Sequence, residues 1–283
     1  MQLNTEFACN SVVWISSLAP NDEGPTRRMV AEMTGHAQAL GFAFEHIAVS
    51  GRAELSHLLA GLASRTEHRH MRPLVHLDTH GNKDDGLFIE GENVFVAWDD
   101  LAQMLREINV PSRNNLAVVG ATCFGLHAIR PINLSTPTPF FLLLSPEEKV
   151  SNGFLETNIP RFYRTLFEVG SVEAAFANIS ERFNYFHCEK LLFIAIARYL
   201  AQQCAGKSRL QRRERLLTEI MSQGMENTLD NRRLARQMIK QGTRPDQSLI
   251  DRFAGRFLIG RPCSFQFEEL QAFVEAAKLD DKR

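Results

Sequence analysis

Two side chains with the chemistry of a nucleophilic hydrolase stand where apolar segments of the sequence end. His80, followed by Gly81, closes the segment 74–79 (LVHLDT), and Cys123 closes the segment 116–122 (LAVVGAT). A cysteine thiolate attacks carbonyl carbon atoms, and a nearby imidazole takes up the thiol proton and later returns it to the leaving group. The pair predicts a Cys–His dyad if the fold brings the two side chains together.

Each of these residues has a simpler explanation when it is taken alone. A lone cysteine after an apolar run is usually a small core residue, and a lone histidine there is usually a hydrogen-bonded loop residue. Here both follow predicted strands, and each lies next to a glycine or one residue from it. The stretch between them is long enough for another strand and a helix. The combination favours the dyad over two unrelated structural residues.

Short apolar runs bounded by turn residues alternate with amphipathic segments along the first 180 residues. Predicted strands cover 11–18, 42–49, 74–78, 116–121 and 140–144, predicted helices cover 25–40, 53–67 and 100–108, and a hairpin is predicted over 87–96. This alternation predicts an α/β fold with helices on both faces of a mostly parallel sheet. The carboxyl ends of such strands share one crevice, which is where His80 and Cys123 would meet.

Length and composition are those of an ordinary globular protein. The chain has 283 residues, 44% hydrophobic and 23% charged, with a formal net charge of −1. Its apolar runs are far shorter than the 18 or so residues that span a bilayer, and residues 1–6 lack the features of a signal peptide. The five cysteines include no CxxC pair. We therefore expect a cytoplasmic protein with no membrane partner, no disulfide framework and no metal site.

The last hundred residues differ from the rest in charge and pattern. Residues 201–283 carry 16 Lys and Arg against 11 Asp and Glu, whereas residues 1–200 carry 16 against 22. The basic excess lies in the segments 207–215 and 232–244, which could contact nucleic acid or an acidic partner. Charges of both signs around them favour a solvated helix face instead. We predict a domain over 1–180 and a helical extension over 181–283 for packing, sensing or partner docking.

Four segments carry a resemblance to a known family. They are 77–81 (LDTHG), 86–89 (GLFI) with the hairpin and 98–101 (WDDL), 117–125 (AVVGATCFG), and 160–166 (PRFYRTL) with 170–175 (GSVEAA). Over residues 72–180 the chain resembles a caspase-fold (clan CD) cysteine peptidase, and within that clan it is most similar to CHAT domains. The spacing of 43 residues (123 − 80) is close to the caspase pattern. The resemblance implies a caspase-like three-layer α/β/α sandwich with a C-terminal helical extension.

The resemblance also implies a reaction and its participants. It is the hydrolysis of a peptide bond in a specific protein or peptide substrate, through an acyl-enzyme and without a cofactor. Cys123 would be the nucleophile, His80 the general base and acid, and the backbone N–H groups of Gly81 and Cys123 the oxyanion hole. Asp78, two residues before His80, would orient that histidine or line a specificity pocket. Such peptidases in bacteria often act in defence or regulated cell death, and the helical extension of this chain would then be a sensor or a docking surface for an activating partner.

Substrate specificity has weaker signals. Glu147 and Glu148 follow the strand predicted at 140–144, and they would line a pocket for a basic side chain or be exposed loop charges. Metacaspases place an aspartate two residues before the cysteine, where this chain has Ala121. A preference for Arg or Lys is therefore not supported through that position, and an Asp-specific pocket would need a buried arginine, for which Arg130 is the nearest candidate.

Two other functions are compatible with these patterns. One is a catalytically silent caspase-like scaffold whose basic helical tail binds a protein or nucleic acid. The other is a nucleotide-binding protein of flavodoxin type, but no GxGxxG or GxxxxGK[ST] motif follows any predicted strand. The positions of Cys123 and His80 discriminate between these functions, because a nucleophile must face its base across an open cleft.

Overall fold

The computed structural model describes residues 3–203, 206–243 and 245–280, without the side chains of 203, 206–209 and 278–280. The described residues cluster into two compact units. The α/β unit comprises residues 4–188 and 255–262, and the helical unit comprises the other described residues. The predicted α/β class is confirmed.

The α/β unit contains a large sheet and a small one. In chain order the strands are β1 (Ser11–Ser17), β2 (Ala43–Ala48), β3 (Pro73–Thr79), β4 (Gly81–Asn82), β5 (Gly86–Ile89), β6 (Val94–Val96), β7 (Ala117–Gly120), β8 (Leu142–Ser145) and β9 (Asn184–His187). Six of them form one sheet in the order β2-β1-β3-β7-β8-β9. All its pairs are parallel except β8 with β9. Strands β4, β5 and β6 form a separate antiparallel sheet. In the sequence they lie between β3, which precedes His80, and β7, which precedes Cys123.

Five α-helices accompany these strands. They are α1 (Glu23–Leu40), α2 (Arg52–Arg69), α3 (Trp98–Asn109), α4 (Asn152–Val169) and α5 (Val172–Phe176), and a 3₁₀ turn spans Gly125–Ile129. Helix α4 packs against α1 and α5, while α2 packs against α3. This grouping is consistent with a three-layer arrangement of helices about the sheet.

Burial explains why the central strands read as continuous apolar runs. Every residue of β1 and β3 is buried, whereas β2 at the sheet edge has only intermediate or exposed residues. A parallel strand covered on both faces has no solvent side, so alternation disappears from its sequence. One polar side chain in this core is His76, whose Nδ1 lies 2.8 Å from the Tyr163 hydroxyl and whose ring stacks on Trp14.

The remaining helices are α6 (Cys188–Gln203), α7 (Gly206–Ser222), α8 (Leu229–Gly242), α9 (Gln247–Phe257) and α10 (Phe267–Asp280). Helices α7 and α8 pack through a small apolar cluster that includes Leu217, Ala235 and Ile239. Among the described residues, no helix is long and apolar enough to cross a membrane. Strand β9 lies within the stretch for which the sequence predicted helices.

Candidate active site

Strand register brings the ends of β3 and β7 to the same place. The two strands are parallel neighbours, and their last pair is Leu77 with Gly120. The ladder continues through the Ala121 N–H, which donates to the Leu77 carbonyl at 2.8 Å. His80 and Cys123 each lie three residues beyond that last pair. Because the segments after β3 and β7 leave the sheet in the same direction, the two residues lie side by side at its carboxyl edge.

Gly81 shows how close the two chain segments approach. A Cβ atom built on Gly81 would lie 2.2 Å from the Cys123 carbonyl oxygen and 2.5 Å from the Thr122 hydroxyl oxygen. Both distances are far inside van der Waals contact. The position after the histidine therefore needs glycine, because only a residue without a side chain lets the two backbones approach so closely.

His80 and Cys123 line the same small cavity, whose volume is about 40 Å³. Cys123 is partly buried. Its sulfur lies 3.4 Å from the Val150 amide nitrogen and 3.7 Å from the Val150 carbonyl oxygen. This cysteine is therefore not enclosed in apolar packing, as a purely structural thiol would be. Its sulfur contacts backbone polar groups at the edge of an open site.

The turn after Cys123 is held in an uncommon conformation. Phe124 has φ 61° and ψ 13°, the left-handed helical region that disfavours side chains with a Cβ. Its N–H donates to the Glu148 carbonyl at 3.2 Å, and the Leu126 N–H donates to the Pro146 carbonyl at 3.0 Å. The loop after β8 thus clamps the turn that presents the sulfur. Strained backbone of this kind persists where the surrounding structure enforces it, and such places are often functional.

Asp22 is the hydrogen-bond partner of His80. The His80 Nε2 atom lies 3.1 Å from Asp22 Oδ2, and both side chains are partly exposed. An ionised carboxylate only accepts hydrogen bonds, so Nε2 carries the proton. In the neutral imidazole the lone pair is then on Nδ1, which becomes the ring nitrogen available to accept a thiol proton. Asp22 precedes α1 but does not cap it with its side chain.

Asp78 lines the same cavity from its buried wall. Its Oδ2 accepts hydrogen bonds from Thr26 Oγ1 at 2.7 Å and from Trp14 Nε1 at 3.2 Å. Burial raises the pKa of Asp78, and the two hydrogen bonds and the charge of His80 partly offset that rise. The prediction offered two roles for Asp78. The hydrogen bond to the His80 ring comes from Asp22, and Asp78 lies in the cavity wall.

The two glutamates after β8 do not line the cavity. Glu147 and Glu148 are exposed, and the Glu147 carboxylate accepts a hydrogen bond from the Asn184 amide at 3.4 Å. Glu148 takes part through its backbone carbonyl, as described above. Arg130 is exposed as well and donates to the Lys83 carbonyl at 3.1 Å. Their positions correspond to the loop alternative for the glutamates.

Several hydrogen bonds to the Lys83 carbonyl hold the loop after His80 in place. Lys83 O accepts hydrogen bonds from Arg130, from the Trp98 indole at 3.3 Å and from His127 Nδ1 at 2.9 Å. Trp98 also reaches the Asn82 carbonyl at 3.1 Å. These contacts hold the segment that carries the Gly81 amide, which is one of the two proposed oxyanion donors.

The basic segments of the helical unit are described only in part. Arg244 and the side chains of residues 207–209 lie outside the described residues. Arg236 pairs with Glu214 at 3.4 Å and Arg233 with Asp230 at 3.7 Å, while Arg232 and Lys240 are exposed. The mixture of paired and exposed charges is that of a solvated helix face.

Sequence reasoning missed three parts of the site. Asp22, Val150 and Thr122 contact the dyad or Gly81, and none was singled out as functional. The only local signal for Asp22 was its place just before a predicted helix, which is typical of a capping residue. Nothing in the sequence relates it to a histidine 58 residues away.

Comparison of the chain with family models and with curated proteins finds no match. Within the described residues, no group of three or more His, Cys, Asp or Glu is arranged to hold a metal ion.

Proposed function

We propose that this protein is a caspase-like cysteine endopeptidase that cleaves a specific protein partner. The observation that carries the proposal is that His80 and Cys123 line one cavity at the carboxyl edge of a mostly parallel sheet. The hairpin between the two strands is also part of the resemblance, and the packing of α1 on α4 and of α2 on α3 is compatible with the three-layer sandwich it implied. A role in defence or regulated cell death follows from the resemblance alone.

The geometry supports a sequence of four chemical steps. His80 Nδ1 accepts the Cys123 thiol proton, and the sulfur forms a bond to the scissile carbonyl carbon. The carbonyl π electrons move to oxygen, where the N–H groups of Gly81 and Cys123 would stabilise the negative charge. The tetrahedral intermediate collapses with cleavage of the C–N bond, and the imidazolium gives its proton to the leaving amine. Water, deprotonated by His80, then hydrolyses the thioester and restores the thiol.

Asp22 acts in this scheme as a positioning residue. Its hydrogen bond to Nε2 selects the tautomer with the lone pair on Nδ1 and stabilises the imidazolium that forms after proton transfer. Both partners are partly exposed, so solvent screens their interaction, which contributes about 1 kcal/mol or less. Asp22 therefore tunes the rate rather than making the reaction possible.

The proposal is tested with peptidyl acyloxymethyl ketone probes and a library of fluorogenic peptides. We expect labelling at Cys123 and peptide cleavage by the wild-type protein, and loss of both in Cys123→Ala and His80→Ala. Thermal unfolding midpoints should stay within about 3 °C of wild type, because both side chains are partly exposed. The control is Cys9→Ala, which removes another partly buried thiol that does not line the cavity.

The same experiment distinguishes the alternative function. A folded wild-type protein that neither cleaves the library nor reacts with any probe would support the silent scaffold. Its basic helices, with Arg232 and Lys240 exposed, would then be the surface to test for a protein or nucleic-acid partner. In the peptidase proposal the same helices dock an activating partner.

A further inference from the structure

The cavity at the dyad is small, and its walls are part apolar and part polar. Leu18, Met29, Val150 and Leu155 are its larger apolar lining residues, and the whole space measures about 40 Å³. Met29 and Leu155 are buried on the packed helices α1 and α4. Core packing therefore fixes one part of the cavity wall, and the loop residues Leu18, Asp22 and Val150 complete it.

The volume limits what can enter. A cavity of about 150 Å³ accommodates benzene, which has six carbon atoms, so each heavy atom needs roughly 25 Å³. At that scale 40 Å³ holds one or two heavy atoms. Alanine has one side-chain heavy atom and serine has two, whereas leucine and aspartate have four and arginine has seven. Only the smallest side chains fit without displacement of the walls.

The cavity is placed for the residue that supplies the attacked carbonyl. That residue's Cβ is separated from the carbonyl carbon by a single atom, the Cα. The side chain on the leaving-group side is further away, beyond the amide nitrogen. Because Cys123 lines the cavity, the side chain that reaches it first is that of the residue before the cleaved bond.

Charge leads to the same selection. Among the described residues that line the cavity none is Lys or Arg, whereas two are aspartates, so an acidic substrate side chain would meet like charge without a lysine or arginine to offset it. The Asp78 carboxyl would attract a basic side chain, but lysine and arginine are too long for the available space. That carboxyl can accept a hydrogen bond from the hydroxyl of a serine, as its Oδ2 already does from Thr26 Oγ1.

We propose that this protein cleaves after residues with small side chains, alanine or serine. The inference rests on the proposed peptidase function and adds its substrate class. Leu18, Met29 and Leu155 become specificity-determining residues, because their side chains exclude anything larger from the space beside the sulfur.

The wild-type protein provides the first test. Acyloxymethyl ketone probes are made with identical outer residues and with Ala, Ser, Leu, Asp or Arg next to the reactive ketone. We expect the Ala and Ser probes to label Cys123 about 10- to 200-fold faster than the others, the range by which pockets discriminate against misfitting side chains. Equal or faster labelling by the Leu or Arg probe overturns the size selection and leaves the peptidase standing. No labelling by any probe, while iodoacetamide still alkylates Cys123, overturns the peptidase and the selection with it.

Enlarging the cavity is the second test. Leu155→Ala removes three carbon atoms, which at roughly 25 Å³ each makes room for a leucine side chain. The Leu probe should then approach the Ala probe in labelling rate. Met29→Ala should act in the same direction and serves if Leu155→Ala does not fold. Leu62→Ala, a buried leucine of α2 away from the cavity, is the matched control and should keep the wild-type order. An unchanged order in a folded Leu155→Ala or Met29→Ala protein overturns the assignment of these walls.

Discussion

Gly81→Ala tests the central geometric claim, that the His80 and Cys123 segments touch through their backbones. The added Cβ would lie 2.2 Å from the Cys123 carbonyl oxygen, and real Cβ atoms do not approach closer than 3.0 Å. The two segments must therefore separate by at least 0.8 Å (3.0 − 2.2). A displacement of about 1 Å at a reacting pair costs on the order of 100-fold in rate.

The assay combines activity with stability. We expect kcat for a fluorogenic peptide, and the rate of Cys123 labelling by an acyloxymethyl ketone, to fall about 100-fold in Gly81→Ala. The free energy of unfolding should fall by about 1–3 kcal/mol, as in other overpacked positions. This is a loss that leaves most domains folded, so the lower activity would not reflect unfolding.

Gly61→Ala is the matched control for this substitution. Gly61 lies within α2, and a Cβ there would meet nothing within 4 Å. Alanine is the better helix former, so this variant should be fully active and more stable by roughly 0.5–1 kcal/mol. Wild-type activity together with wild-type stability in Gly81→Ala would refute the contact between the two segments, and with it the argument that places His80 beside Cys123.

Three further predictions concern titratable groups. Asp22→Asn should lower kcat by no more than about 5-fold, the rate equivalent of about 1 kcal/mol, and a loss of 100-fold or more would mean that the carboxylate has a larger role. Burial raises the pKa of Asp78 above its usual 3.8, so wild-type stability should fall as pH rises from about 3.8 through the folded-state pKa. The free energy of unfolding of wild type minus that of Asp78→Asn, measured by chemical denaturation at each pH, isolates the contribution of this carboxyl. A difference that rises with pH would contradict the prediction. Burial raises the pKa of Cys263 from 9.0 to about 11, which lowers its thiolate fraction about 100-fold at neutral pH. Site-mapped iodoacetamide alkylation should therefore find Cys123 modified before Cys263.

The central strands were accessible from the sequence because their signals are local. The run predicted over 74–78 is β3, Pro73–Thr79, and the run over 116–121 contains β7, Ala117–Gly120. Continuous apolar residues that end at glycine or polar residues are what a strand buried on both faces requires. The helix predicted over 25–40 is α1, and Gly41 ends it in the left-handed conformation that the sequence suggested.

Strand β9 was not accessible in this way. It has only four residues, two of which are Asn184 and His187, and it lies within the segment predicted to be helical. Its extended conformation depends on antiparallel pairing with β8, more than 35 residues earlier in the chain. Short edge strands are specified by their partner more than by their own composition.

The residues of the site likewise fall into those with a local sequence signal and those that only tertiary contacts define. Residue type and position at the ends of apolar runs were enough to single out His80, Gly81 and Cys123, because parallel strands deliver such residues to one crevice. Asp22 and Val150 could not be found, since each contacts the dyad only through the packing of a distant loop. Glu147 and Glu148 were close in sequence to the expected pocket, but their carboxylates lie outside the cavity.

The amino-acid sequence by itself determined the class of the fold, the strands that carry a histidine and a thiol, and the chemistry those two groups can perform. Tertiary structure decided which carboxylate bonds to the imidazole, which backbone groups contact the sulfur, and how little space remains beside it. The physical reason is the distance along the chain over which each property is determined. Burial and helix or strand periodicity depend on neighbouring residues. The size of a cavity and the partner of a side chain depend on atoms that come into contact only after the chain has packed.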